Sequence, residues 1–149
     1  MHVKQFAELN PDELYAILQL RVDVFVVEQH CAYPELDGRD RERATRHVWY
    51  ARGDQVLAYI RTLVEPGGGS SIGRVVTAPQ VRGQGLARQL IDYALEELEL
   101  GRPIQLSAQA HLADWYARSG FVVVGDEYLE DGIPHVPMQW IPPSTARAD

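Results

Sequence analysis

The chain has 149 residues, 46% of them hydrophobic, enough to bury a core within one globular domain. A formal net charge of -7 disfavours nucleic acid as a partner, and no run of about 18 apolar residues marks a membrane span. The single cysteine, Cys31, excludes an internal disulfide and a cysteine-only zinc site.

Asn10-Pro11-Asp12-Glu13 reads as a helix start. Asn10 caps, Pro11 suits the first helical position, and Glu13 closes a capping box. Leu14, Ile17, Leu18 and Phe25 then form an apolar stripe, with the helix ending near residues 24–27. Residues 28–46 are polar, broken by Pro34 and Gly38, and predict a long loop with at most one helical turn. Two extended runs follow, 47–52 and 55–64, joined by the hairpin signal Gly53-Asp54. After a glycine-rich loop at 66–70, residues 71–77 predict a third strand.

Leu86, Leu90, Ile91, Ala94, Leu95 and Leu98 recur at helical spacing, and Gly101-Arg102-Pro103 stops that helix. Glu96, Glu97 and Glu99 read as its solvated face. A short strand at 104–108, a short helix at 110–118 and strands at 121–124 and 136–141 complete the order, and the tail from Pro142 reads as frayed. No repeat or linker divides residues 1–149. The strand–helix–strand piece at 71–108 predicts a parallel crossover beside an antiparallel meander. The fold class is therefore α/β (α+β): a mixed, mostly antiparallel sheet flanked by helices.

The stretch QVRGQGLARQL, residues 80–90, places two glycines at the mouth of a helix. A helix start carries unpaired N–H groups and partial positive charge, and glycine lets an anion approach the backbone. Gly83, Gln84, Gly85, Leu86 and Ala87 supply candidate donors, and Arg82 and Arg88 candidate charge. From Ser71 to Leu90 there are three arginines (Arg74, Arg82, Arg88) and no acid. A Walker loop would need a lysine absent here, and a dinucleotide fingerprint a third glycine where Arg88 stands. A plain glycine turn is the alternative.

Gln80-Val81-Arg82-Gly83-Gln84-Gly85 resembles the acetyl-CoA signature of the GNAT superfamily, Q/R-x-x-G-x-G/A. Ile72-Gly73-Arg74-Val75-Val76 resembles the strand before it, and Tyr116-Ala117-Arg118-Ser119-Gly120-Phe121 the later Y-x-x-x-G-F element. Leu20-Arg21, Phe25-Val26-Val27-Glu28-Gln29, Ala108-Gln109-Ala110-His111-Leu112 and Glu130-Asp131-Gly132-Ile133-Pro134-His135 are similar to the ElaA-type branch. The resemblance implies a GNAT fold with a central parallel strand pair splayed for coenzyme A. It implies acetyl transfer from acetyl-CoA to an amine, with no metal and no covalent enzyme intermediate. Val75 and Val76 would contact the pantetheine arm and thioester, and Arg82 through Ala87 would hold the pyrophosphate. Gln109 stands where many members carry an asparagine.

Such chemistry needs a neutral amine, a donor for the carbonyl oxygen and a proton for the departing thiolate. The resemblance makes Tyr116 the general-acid candidate; its plain reading is a core tyrosine beside Trp115. A backbone N–H near Val76 is the candidate oxyanion donor. Glu28 follows an apolar run, where partial burial would favour its neutral form, and His111 precedes Tyr116 by a little over one helical turn. Either is a candidate base, each with a structural alternative, and a water chain would replace both. Cys31 reads as a small loop or core residue, and His47 and His135 show no metal-ligand spacing.

From Glu8 to Glu42 nine acids face three bases. In the resembled fold that region borders the acceptor side, so the expectation is a small cationic or peptide amine drawn by Glu35, Asp37 and Asp40. A non-catalytic acyl-CoA-binding module is the competing reading. A cytoplasmic address without a secretory leader is expected, and whether the chain works as a monomer or homodimer stays open.

Overall fold

Asn10 starts the first helix as its residue type demands: Oδ1 accepts from the Glu13 N–H at 2.8 Å, and Glu13 Oε1 accepts from the Asn10 N–H at 3.0 Å. In the computed structural model, which describes residues 1–143, this helix is α1 (Pro11–Val22). It continues without a break into a π turn, Asp23–Glu28, where the Gln29 N–H reaches back to the Val24 carbonyl and the Cys31 N–H to that of Val26. Such wide turns often mark functional positions. The frayed tail expected from Pro142 lies almost wholly outside the described residues.

The strands are β1 (His2–Lys4), β2 (Arg46–Arg52), β3 (Gln55–Val64), β4 (Ser70–Thr77), β5 (Ile104–Gln109), β6 (Phe121–Val123), β7 (Tyr128–Glu130) and β8 (Ile133–Trp140). They form one sheet in the order β1-β2-β3-β4-β5-β8-β6, with β7 on β8. Every pair is antiparallel except β4–β5, which α2 (Leu86–Glu97) connects. Arg52 pairs with Gln55 around the expected Gly53-Asp54 turn. α3 (Ala113–Ala117), after a 3₁₀ turn at Ala110–Leu112, occupies the last helical segment.

Two of the strands were not visible in the sequence. β1 and β7 have three residues each, too few for periodicity to register. β8 starts at Ile133 rather than 136; the missed part holds Pro134, a residue that disfavours strand interiors.

β3 is buried from Val56 to Leu63 because both its faces are covered. On one face Ala58 and Ile60 pack with Leu90, Ile91 and Ala94 of α2, and on the other Leu57 and Tyr59 pack with Ile17 and Leu20 of α1 and Val24 of the π turn. Full burial of Leu90 or Ile91 contributes about 1.5–3 kcal/mol each. The stripe of α1 differs from the expected one. Ile17, Leu20, Arg21 and Val24 are buried, whereas Leu14, Leu18 and Phe25 are only partly covered.

Arg21 is the charged member of that buried face, with 0% exposure. Its Nε donates to Glu35 at 2.7 Å, and Nη1 and Nη2 to the two Asp40 oxygens at 2.7 and 3.1 Å. Arg61, in the apolar run of β3, donates to both Asp37 oxygens at 2.9 and 2.8 Å and to Asp40 at 3.1 Å. His47 completes the cluster: Nε2 donates to the Asp40 carbonyl at 3.0 Å, so in the neutral ring Nδ1 accepts from the Tyr59 hydroxyl at 2.7 Å. The polar loop between α1 and β2 is thus tied into the core by ion pairs rather than apolar contacts. Glu35 and Asp40, expected to draw an acceptor, are 3% and 7% exposed. That expectation is corrected: their charge is neutralised internally, because a buried carboxylate needs a charged partner.

Replacing Arg21 with Ala leaves two buried carboxylates without their main cation. Urea denaturation should show a loss of about 3–5 kcal/mol, and a loss under 1 kcal/mol would contradict the cluster's role. Acid should also destabilise the fold in two stages. Burial outweighs its hydrogen bonds and lowers the pKa of His47 from the ordinary 6.5. The unfolded chain therefore takes up a proton first, and stability falls as pH drops below about 6.5. Burial opposes ionisation of Asp37 and Asp40, but Arg61 and Arg21 outweigh it and hold both below the ordinary 3.8. Their contribution is present above about pH 4 and lost below it. Denaturation of His47→Gln at pH 7 and pH 5 should show a smaller difference than the parent chain shows.

Candidate active site

β4 and β5 pair at two positions only, Ser70↔Ile104 and Ser71↔Gln105. Beyond them β5 is held by β8 through to Gln109↔His135, while β4 stays with β3. In β4 a bulge sets Arg74 and Val75 opposite the single residue Ile60, since Tyr59 pairs with Val76 and Arg61 with Gly73. The two strands diverge around a cleft of about 1300 Å³. From Ile72 onward no described strand covers the β5-facing edge of β4, so backbone groups there are open to a ligand. Val75 and Val76 both line this opening.

The glycine stretch forms the rim. Gly83 and Gly85 have φ of 82° and 77°, and a Cβ at either would meet nothing within 4 Å. Glycine is needed there for the backbone conformation, and the space above it is free. Gly85 caps α2 without a side-chain acceptor, and the first helical bond runs from the Gln89 N–H to the Gly85 carbonyl. The N–H groups of Leu86, Ala87 and Arg88 are therefore unpaired by helix geometry. Gly83, Gly85, Leu86, Ala87, Arg82 and Arg88 all line the cleft. Gln80, in a 3₁₀ turn, and Gln84 are exposed and do not line it.

The three arginines do not form the expected patch of unopposed charge. Arg74 pairs with Glu35 at 3.0 Å and Asp37 at 3.5 Å. Arg82 donates to Glu28 at 2.8 Å and to the Thr77 carbonyl at 3.2 Å. Among the described residues Arg88 meets only neutral groups: the Trp115 carbonyl at 2.8 Å, Ser119, and the Trp115 ring at 5.2 Å. The neutralising acids lie far away in sequence, so a local count of charge missed them.

Tyr116 sits on α3 with its ring edge-on to Trp115 and Phe121. It is 7% exposed and lines the cleft. Its hydroxyl bonds to no described residue, yet the one fully enclosed side-chain atom without a partner among those residues is Arg61 Nε. The Tyr116 hydroxyl therefore reaches the open volume. Burial pushes its pKa up, which keeps the phenol protonated.

Glu28, at the end of the π turn, also lines the cleft, but its side chain is 42% exposed and ion-paired. It does not sit in an apolar pocket, because the run before it turns Val24 inward and leaves Glu28 at the rim beside Arg82. His111 is exposed at the cleft wall. The Gln109 amide donates to Gln29 Oε1 at 3.3 Å, joining β5 to the end of the π turn. Tyr33 and Glu130 line the cleft as well and were not singled out by the sequence as site residues; His135 lines it too, and so does Asp37, alone of the three acids expected to draw the acceptor. Cys31 donates weakly to the Asp131 carbonyl at 3.7 Å. Among the described residues no group of three His, Cys, Asp or Glu side chains is placed to hold a metal ion. No described helix is long and apolar enough to cross a membrane.

Residues 13–142 match the family model described as "Acetyltransferase (GNAT) domain". UPF0039 protein Rv2851c of Mycobacterium tuberculosis is 49% identical over 135 residues, covering 88% of this chain and 86% of that one. The crystal structure of an acyl-CoA N-acyltransferase from Pseudomonas aeruginosa matches with a TM-score of 0.87 and 50% identity, covering 94% of this chain and 97% of the other. Escherichia coli ElaA is 41% identical over 140 residues, covering 89% of this chain and 90% of its own. Its crystal structure gives a TM-score of 0.84 over 94% of this chain and 98% of that one. A sheet that parts between β4 and β5, a glycine rim at the start of α2 and these matches carry one conclusion: the chain belongs to the GNAT acetyltransferase family, in its ElaA-like branch.

Proposed function

We propose that the chain, as one domain, is an N-acetyltransferase that moves an acetyl group from acetyl-CoA directly to a primary amine of a small molecule or peptide. The observation that carries this reading is a buried, protonated phenol opening onto the same cleft as an uncapped, glycine-bordered helix start. We assign the activity to the cytoplasm, in keeping with a single cysteine.

The residues present fit the co-substrate. Its diphosphate suits the N–H groups of residues 83–88, where no Cβ intrudes and the helix start is positive. Arg82 and Arg88 add charge. The exposed Arg82–Glu28 pair is worth about 1 kcal/mol at most, so Arg82 exchanges its carboxylate readily for a more highly charged anion. Backbone groups of Val75 and Val76, on the uncovered edge of β4, and the Gln109 amide hold the arm. Gln80 and Gln84 support the loop from outside the cleft.

When bound, acetyl-CoA supplies an activated acyl group as a thioester. A main-chain N–H near Val76 donates to the carbonyl oxygen as negative charge develops there. Tyr116 holds a proton at Oη for the departing sulfur. Glu28 or His111, directly or through water, takes the proton that the amine must lose before attack.

An amine screen with thiol release as readout tests the activity. Turnover of no amine, amino acid or peptide N-terminus would reject it. Tyr116→Phe should lower kcat by about 10²–10⁴-fold at unchanged acetyl-CoA affinity, and an undiminished kcat removes the acid role. The double variant Gly83→Ala, Gly85→Ala places methyl groups in the proposed cradle and strains each residue by about 1–2 kcal/mol. Calorimetry should show acetyl-CoA binding weakened at least about tenfold. Unchanged affinity would show that the diphosphate binds elsewhere.

A further inference from the structure

Arg74 is a conformational anomaly. Its φ is 52°, in the left-handed region, though it is neither glycine nor a residue that favours that region. The residue before it is Gly73, which keeps an ordinary φ. The chain thus places the strain on an arginine with a glycine next door. Such strain persists only when surrounding contacts enforce it.

Arg74 Nε donates to Glu35 Oε1 at 3.0 Å, and Nη2 donates to the Glu35 carbonyl at 3.1 Å and to Asp37 at 3.5 Å. The guanidinium lies over the Tyr33 ring, 5.7 Å from its centre, and the Tyr33 hydroxyl donates to the other Glu35 oxygen. Glu35 and Asp37 are in turn held from beneath by Arg21 and Arg61. Loop 33–37 is therefore anchored to the core from below and to the bulge of β4 from the cleft side. Tyr33, Pro34 and Asp37 of that loop line the cleft, and so do Arg74 itself and the adjoining Val75 and Val76.

We propose that Arg74 is a positioning residue: it fastens the wall formed by loop 33–37 to the bulge beside Val75, fixing the gap between the acceptor side and the acyl-binding strand. The inference rests on the N-acetyltransferase reading. The donor N–H near Val76 and the amine approaching from the loop side must keep register within fractions of an ångström, and a misplacement of about 1 Å costs about 10²-fold in rate. A planar, two-pronged guanidinium suits this, since it grips a side-chain oxygen and a main-chain oxygen of one residue together. The strained φ is what directs that grip away from the coenzyme cradle and onto the loop.

Arg74→Gly separates positioning from stability, because it removes the grip and the strain at once. Its melting temperature should stay within about 3–4 °C of the parent chain, since relief of the left-handed strain offsets the lost bonds. Amide hydrogen exchange at residues 33–37, measured without ligand, should quicken about tenfold or more. In turnover, kcat should fall about 10–100-fold while acetyl-CoA affinity by calorimetry is unchanged. Arg74→Lys keeps the charge but not the fork, and should recover less than half of the lost kcat on a logarithmic scale.

Unchanged exchange in loop 33–37 of Arg74→Gly would overturn the clamp. Faster exchange with undiminished kcat would overturn the positioning role. Should the parent chain turn over no amine, the enzymatic reading itself fails, and with it the catalytic purpose of Arg74. The exchange result still separates that failure from the absence of a clamp.

Discussion

A sheet that parts in its middle leaves two rows of backbone groups without partners, and everything distinctive here follows from that parting. β4 and β5 share two paired positions and then separate. Unpaired peptide groups are costly when buried, so the gap must remain open to water or to a ligand that bonds them. The separation is held from both sides. β5 pairs with β8 along its length, and β4 pairs with β3 except at the bulge. The N-terminus of α2 points its own unpaired N–H groups at the same opening. One topological feature thus gathers backbone donors from a strand and a helix into a single cleft.

The buried ionic cluster supports this geometry from beneath. Three arginines and three carboxylates link α1, the loop that follows it, β3 and β4. A hydrophobic contact can slide at little cost, whereas a buried guanidinium with paired oxygens has one satisfactory arrangement. The loop between α1 and β2 holds its course because each of its inward acids has a cation waiting. The same cluster makes the fold sensitive to acid, since His47, Asp37 and Asp40 each favour the folded state only in their unprotonated form.

The cleft itself combines an exposed polar rim with a buried phenol. Arg82 and Glu28 meet across the mouth, and each is exposed enough to change partner. Tyr116 lies deeper, where burial keeps its proton in place. This gradient, from exchangeable charge outside to a held proton inside, supports the proposed transfer, in which a group enters on an anionic handle and a protonated thiol leaves.

Much of this was legible along the chain because it is written locally. A capping box needs only Asn10 and Glu13, a hairpin turn only Gly53 and Asp54, and a glycine-bordered helix start only residues 83–90. The helical period of α2 and the order of elements follow from nearest neighbours in the same way. Short strands such as β1 and β7 stayed hidden because three residues carry no period, and the first residues of β8 were missed around Pro134. One further signal was present and unread: Arg21 falls on the inward face of α1, and Arg61 interrupts the apolar run of β3. Their partners lie between 14 and 24 residues away, and Arg74 reaches Glu35 across 39. The sequence by itself determined the longer elements, their order and the glycine-bordered helix start, because each depends on residues within a turn or two of one another. Only the tertiary structure decided which charges are neutralised, how far β4 and β5 part and which side chains meet in the cleft, because those depend on distances that exist only once the chain is packed.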